Sequence, residues 1–106
     1  MASMETIKSV AQQIAETFHP QKIVLFGSHA VGNATDESDI DLMVVMVSDL
    51  PPHKRNIALK RLFPRRLFSL DAFVYTPKEF LKYKDIPGTL AYAASHKGKL
   101  LYGLSG

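Results

Sequence analysis

The chain has 106 residues, 46% hydrophobic and 22% charged, with a formal net charge of +3 and no cysteine. That length is expected to form one domain over residues 1–106, with no room for a separate substrate-binding domain, and the composition excludes a disordered chain. The lack of cysteine excludes a disulfide framework, a thiolate metal site and a thiol nucleophile, so any metal must be held by oxygen or histidine. No run reaches the ~18 apolar residues of a membrane helix, and the N-terminal MASMETIKSV lacks a secretory apolar stretch, so a soluble cytoplasmic protein without membrane contact is expected.

In chain order, Ile7, Val10, Ala11, Ile14 and Phe18 recur at helical steps and predict an amphipathic helix over 4–18, with Ser3 as N-cap and Glu5 in the first turn. Pro20 stops it. KIVLF at 22–26 reads as a buried strand ending at Gly27, and a turn or helix start follows. IDLMVVMV at 40–47 is apolar on both alternating faces, as a central strand covered on both sides would be. Residues 53–63 favour a helix with Ile57, Ala58 and Leu62 on its apolar side and the basic side turned to water or a partner, Pro64 ending it. LFSLDAFVY at 67–75 alternates, placing Phe68, Leu70, Ala72 and Val74 on one face and Ser69, Asp71, Phe73 and Tyr75 on the other. Thr76, Pro77 and Glu79 form a capping-box pattern for a short helix to about Tyr83. A further helix over 88–97 ends at Gly98, and KLLYG closes the chain as an edge strand.

Charge is unevenly spread. Between Asp49 and Asp71 there is no acid, while residues 53–66 carry six of the thirteen Lys and Arg; Asp36, Glu37, Asp39 and Asp41 crowd into one loop and strand start. The basic stretch reads as a solvated helix face, the alternative being contact with a polyanion or an acidic partner. The four histidines have no paired metal spacing and are assigned to surface and loops, although His29 lies within reach of a phosphate bound at the glycines; the tyrosines are assigned to core or interface.

Gly27 and Gly32 have the spacing of a P-loop, but Asn33 and Ala34 stand where lysine and a hydroxyl residue are required. Asp39 and Asp41 resemble the start of a calcium loop, but Met43 and Val44 break it. What survives is a strand ending in Gly-Ser and a second strand opening with two acids. Acids at i and i+2 of a strand share a face, roughly 6–7 Å apart, and suit Mg²⁺ arriving with a nucleotide. Gly27 and Ser28 offer backbone N–H groups and a hydroxyl to its phosphates. Asp71, on an otherwise apolar strand, is the candidate third carboxylate, its alternative being a plain ion pair with Arg65 or Arg66.

Gly27-Ser28, Ala30, Gly32 and Ser38-Asp39-Ile40-Asp41-Leu42, with Asp71 on a later strand, resemble the pattern of the minimal nucleotidyltransferases of the DNA polymerase beta superfamily, and the similarity extends through DAFVYTPKEF to GKLLYG. The resemblance implies an α/β (α+β) nucleotidyltransferase fold, a small mixed sheet with helices packed on it. It implies transfer of a nucleoside monophosphate from ATP or another nucleoside triphosphate with two Mg²⁺ ions. By position Asp39, Asp41 and Asp71 would be the catalytic and metal-binding acids, and Gly27, Ser28 and Ser38 would bind the nucleotide. It further implies a HEPN-domain toxin encoded nearby as partner and acceptor, with this chain as antitoxin. Direct nucleic-acid binding is not expected, and homo-oligomerisation is left open. Val31 stands where the family often has arginine, so a module that neutralises its partner by binding alone is the first alternative. A small-molecule adenylyltransferase is the second.

Overall fold

The structure is a computed structural model and describes residues 3–35, 39–63 and 69–103. Helix α1 (Met4–Phe18) is capped by Ser3, whose hydroxyl accepts the Thr6 N–H, and it ends at His19, left-handed at φ 49°. Its apolar stripe of Ile7, Val10, Ala11, Ile14 and Ala15 is buried. Strand β1 (Lys22–Phe26) leads into a single helical turn, α2 (Ser28–Val31), and then to β2 (Ile40–Val45). Helix α3 (Pro52–Lys60) precedes β3 (Leu70–Tyr75); α4 (Pro77–Tyr83), α5 (Leu90–Lys97) and β4 (Lys99–Gly103) complete the described chain.

The sheet order is β3-β2-β1-β4, with β1 antiparallel to β2 and β4 and β2 parallel to β3. A parallel pair cannot be closed by a tight hairpin, and α3 supplies the crossover. Alternation sends Ile40, Leu42, Val44, Leu70, Ala72 and Val74 into one core with α1, while Val24, Phe26, Met43 and Val45 pack against Phe80, Ala91 and Ala94 from α4 and α5. Strand β2 is therefore covered on both faces, as its continuous apolar run requires. Among the described residues no helix is long and apolar enough to cross a membrane.

Thr76 accepts the Glu79 N–H and Glu79 accepts the Thr76 N–H, so the expected capping box is present at α4. Three segments differ from their patterns: β2 stops at Val45, with Val47 79% exposed, the helix expected over 53–63 runs Pro52–Lys60, and the helix expected from residue 88 starts at Leu90 behind the cap of Thr89. Of the strand expected at 67–75, residues 67 and 68 lie outside the described residues and Ser69 precedes it.

Leu62 packs against the core as expected, but the orientation of α3 corrects the sequence reading at Ile57. Ile57 faces outward at 50% exposure, and Arg55 and Leu59 turn inward instead. The cause is that α3 lies along the open edge of β3 and satisfies the backbone of Val74 there. The Asn56 side-chain carbonyl accepts the Val74 N–H at 2.9 Å. Arg55 donates to the Leu50 carbonyl at 2.7 Å, to the Val74 carbonyl at 3.4 Å and to Glu79 Oε1 at 2.7 Å. An uncovered strand edge is a site for unwanted pairing, and here polar side chains cover it. Glu79 thus ties the start of α4 to α3, and its carboxyl is held below its ordinary value first by the Thr76 N–H and then by Arg55.

Candidate active site

Three acids gather where β2 and β3 begin. Asp39 is exposed just ahead of β2, Asp41 is its second residue, and Asp71 is the second residue of β3. The parallel register pairs Asp41 with Asp71, and on its other side Asp41 faces Phe26 of β1. Ladder partners share a face and sit ~4.8 Å apart, so the two carboxylates stand side by side. Phe26 and Phe73, with ring centroids 6.0 Å apart, form an apolar floor next to them.

Electrostatics report the same proximity. The carboxyl of Asp41 is pushed above its ordinary value, first by burial, then by the charges of Asp71 and Asp39, while His29 pulls it back. Like charges so placed repel until a cation is supplied. Among the described residues no three His, Asp or Glu side chains close around one point. The structure therefore pairs Asp41 with Asp71 and brings Asp39 within their field, without a preformed three-carboxylate cage. The donor set is hard oxygen, which fits Mg²⁺ and disfavours softer ions.

The glycine turn completes the site. Gly27 has φ 76° and ψ −153°, a region open essentially to glycine alone. A Cβ there would run into Asp41 Oδ2 and lie 3.2 Å from Asp41 Cγ, so the β1–α2 backbone rests directly against the carboxylate. The Gly27 carbonyl accepts the N–H groups of Ala30 and Val31, starting α2. Ser28 is half-buried next to Gly27. Ser38 lies outside the described residues, as do Arg65 and Arg66, the pairing partners considered for Asp71. Among the described residues Asp71 is approached by Lys60 of α3, Nζ to Oδ1 3.9 Å, a residue the sequence reading passed over. Its position in the last turn of the helix feeding β3 was the available signal.

The model of the polymerase beta nucleotidyltransferases matches residues 5–105. This chain belongs to the polymerase beta nucleotidyltransferase family. Two solved structures share the family fold with it at low identity. One, described as a candidate nucleotidyltransferase from Sulfolobus solfataricus, is 20% identical, with a TM-score of 0.65 over 94% of this chain and 79% of that one. The other, described as a toxin-antitoxin with AMP-PNP, is also 20% identical, with a TM-score of 0.63 over 92% of this chain and 73% of that one. No curated protein matches the chain. The mixed four-stranded sheet is that of the nucleotidyltransferase fold expected from the sequence. The position where the resemblance sets arginine holds Val31, half-exposed at 50% on α2.

Proposed function

We propose that this nucleotidyltransferase transfers AMP from ATP to a hydroxyl on a HEPN-domain toxin and acts as its antitoxin. The observation that carries the reading is the register of Asp41 against Asp71 at the foot of the Gly27 turn. Two carboxylates there, with Asp39 two residues away, form an anionic patch that is unfavourable alone and favourable once divalent charge is bound. Asp39, Asp41 and Asp71 would hold Mg²⁺, which when bound neutralises the triphosphate and favours ionisation of the acceptor hydroxyl.

The chain's own groups account for the rest. The backbone at Gly27 and the Ser28 hydroxyl receive the terminal phosphates beside the Asp41 carboxylate. With the α-phosphorus in line, the acceptor oxygen forms the new P–O bond, the bond to the pyrophosphate oxygen breaks, and the hydroxyl proton passes to Asp71. Positioning and charge neutralisation supply most of the catalysis in such transfers, which suits a single small domain. The partner assignment is supported by the resemblance to minimal nucleotidyltransferases and by the likeness of fold to the structure described as a toxin-antitoxin with AMP-PNP.

A second reading, an antitoxin that works by binding alone, is favoured by Val31 at the arginine position. Calorimetric titration of MgATP into the protein, alone and with its HEPN partner, separates the two. The wild type is expected to bind and the Asp39→Asn/Asp41→Asn variant to be silent, with AMP appearing on the partner only with wild type. Equal heats from both proteins would end the enzyme reading.

A further inference from the structure

Lys60 is the last residue of α3, and its side chain and that of Asp71 are 41% and 44% exposed, with Nζ 3.9 Å from Oδ1. That separation is beyond a good hydrogen bond, and an exposed pair of this kind is held weakly. Lys60 is therefore a loose counter-ion beside the candidate third carboxylate, not a lock on it. The setting gives this looseness a consequence. Asp71 is the ladder partner of Asp41, so a divalent ion bound between them would come to rest close to the ammonium. Cation and ammonium repel, whereas a triphosphate carrying several negative charges attracts both.

We propose that Lys60 is a positioning residue that competes with divalent metal for Asp71 and so makes metal binding depend on the arrival of the triphosphate. Without nucleotide, the ammonium screens Asp71 and opposes the ion. With nucleotide, the ammonium turns to the phosphates and releases the carboxylate. The inference rests on the transferase reading above. A cation in the last turn of α3 also favours the helix dipole, but that structural role would leave metal affinity untouched.

The test is titration of Mn²⁺, read by electron paramagnetic resonance of the free ion, into the wild type, Lys60→Gln, Lys60→Arg and Asp41→Asn, with and without a non-hydrolysable ATP analogue. Lys60→Gln is expected to bind Mn²⁺ alone about 3–10-fold more tightly than wild type at low salt, with the difference shrinking as salt is raised. The gain in Mn²⁺ affinity produced by the analogue should fall in Lys60→Gln and persist in Lys60→Arg. Equal Mn²⁺ affinity in Lys60→Gln and wild type, in a site that Asp41→Asn still abolishes, overturns the role of Lys60 and leaves the transferase reading standing. Absence of any Asp41-dependent Mn²⁺ binding overturns both.

Discussion

Replacing Gly27 by alanine tests whether the glycine turn serves the acids or merely the chain's path. The backbone at φ 76° and ψ −153° costs a non-glycine residue ~1–3 kcal/mol. For a domain of this size each kcal/mol is about 4–5 °C in Tm, so Gly27→Ala should melt roughly 4–15 °C below wild type. The new methyl also meets the Asp41 carboxylate, which must rotate away and lose its alignment with Asp71. MgATP affinity should then fall by more than about tenfold, the cost of one lost charge-assisted contact. Gly32→Ala is the control. Gly32 is also left-handed, at φ 82°, but a Cβ there meets nothing within 4 Å. It should lose about 1–2 kcal/mol of stability and keep its nucleotide affinity. Thermal unfolding by circular dichroism and calorimetric titration measure both quantities. If the two alanine variants lose MgATP affinity equally, or if Gly27→Ala keeps it, the Gly27 turn serves only the path of the chain.

Asp41→Asn should abolish MgATP binding and yet raise the Tm of the metal-free protein at neutral pH. The carboxyl of Asp41 is raised in the fold, so its ionised form destabilises: stability falls as pH climbs from 3.8 through the raised value, and the asparagine variant should lack that fall. Arg55→Met removes an almost buried guanidinium that joins the Leu50 carbonyl and Glu79, and should cost about 2–3 kcal/mol by denaturant titration while leaving the acids in place. Glu79 carries the opposite sign to Asp41: its carboxyl is depressed, so its stabilisation is present above pH 4.5 and is lost as pH falls through the depressed value. Acid unfolding of Glu79→Gln should accordingly be flatter below about pH 4.5 than that of the wild type.

Much of the fold is legible because its signals are local. The stripe of α1 and the apolar run Leu42–Val45 of β2 lie within one element each, and the cap of α4 within four residues. The alternation of β3 was equally readable, and with it the anomaly of Asp71. The orientation of α3 was not. Hydropathy assigns Arg55 and Asn56 to solvent and Ile57 to the core, but the free edge of β3 needs hydrogen bonds more than it needs an apolar cover. The site divides the same way. Two acids at alternate positions of one strand suggest a cation, and a glycine before them suggests a close approach. That Gly27 lies on the Asp41 carboxylate, and that Lys60 stands by Asp71, depend on pairings between distant segments that no short pattern encodes.

The parallel pairing of β2 with β3 gives the protein an unusual intolerance to one kind of change. Lengthening the connection ahead of β3 leaves the strand free to dock as before. A single-residue insertion between Leu70 and Ala72 instead forces a slip, and the rest of the strand changes faces at once. Hydrophobic packing and chemistry are thus written in the same frame, so a one-residue slip that misplaces the acid also turns Ala72 and Val74 out of the interior, and activity and the folded state are lost together.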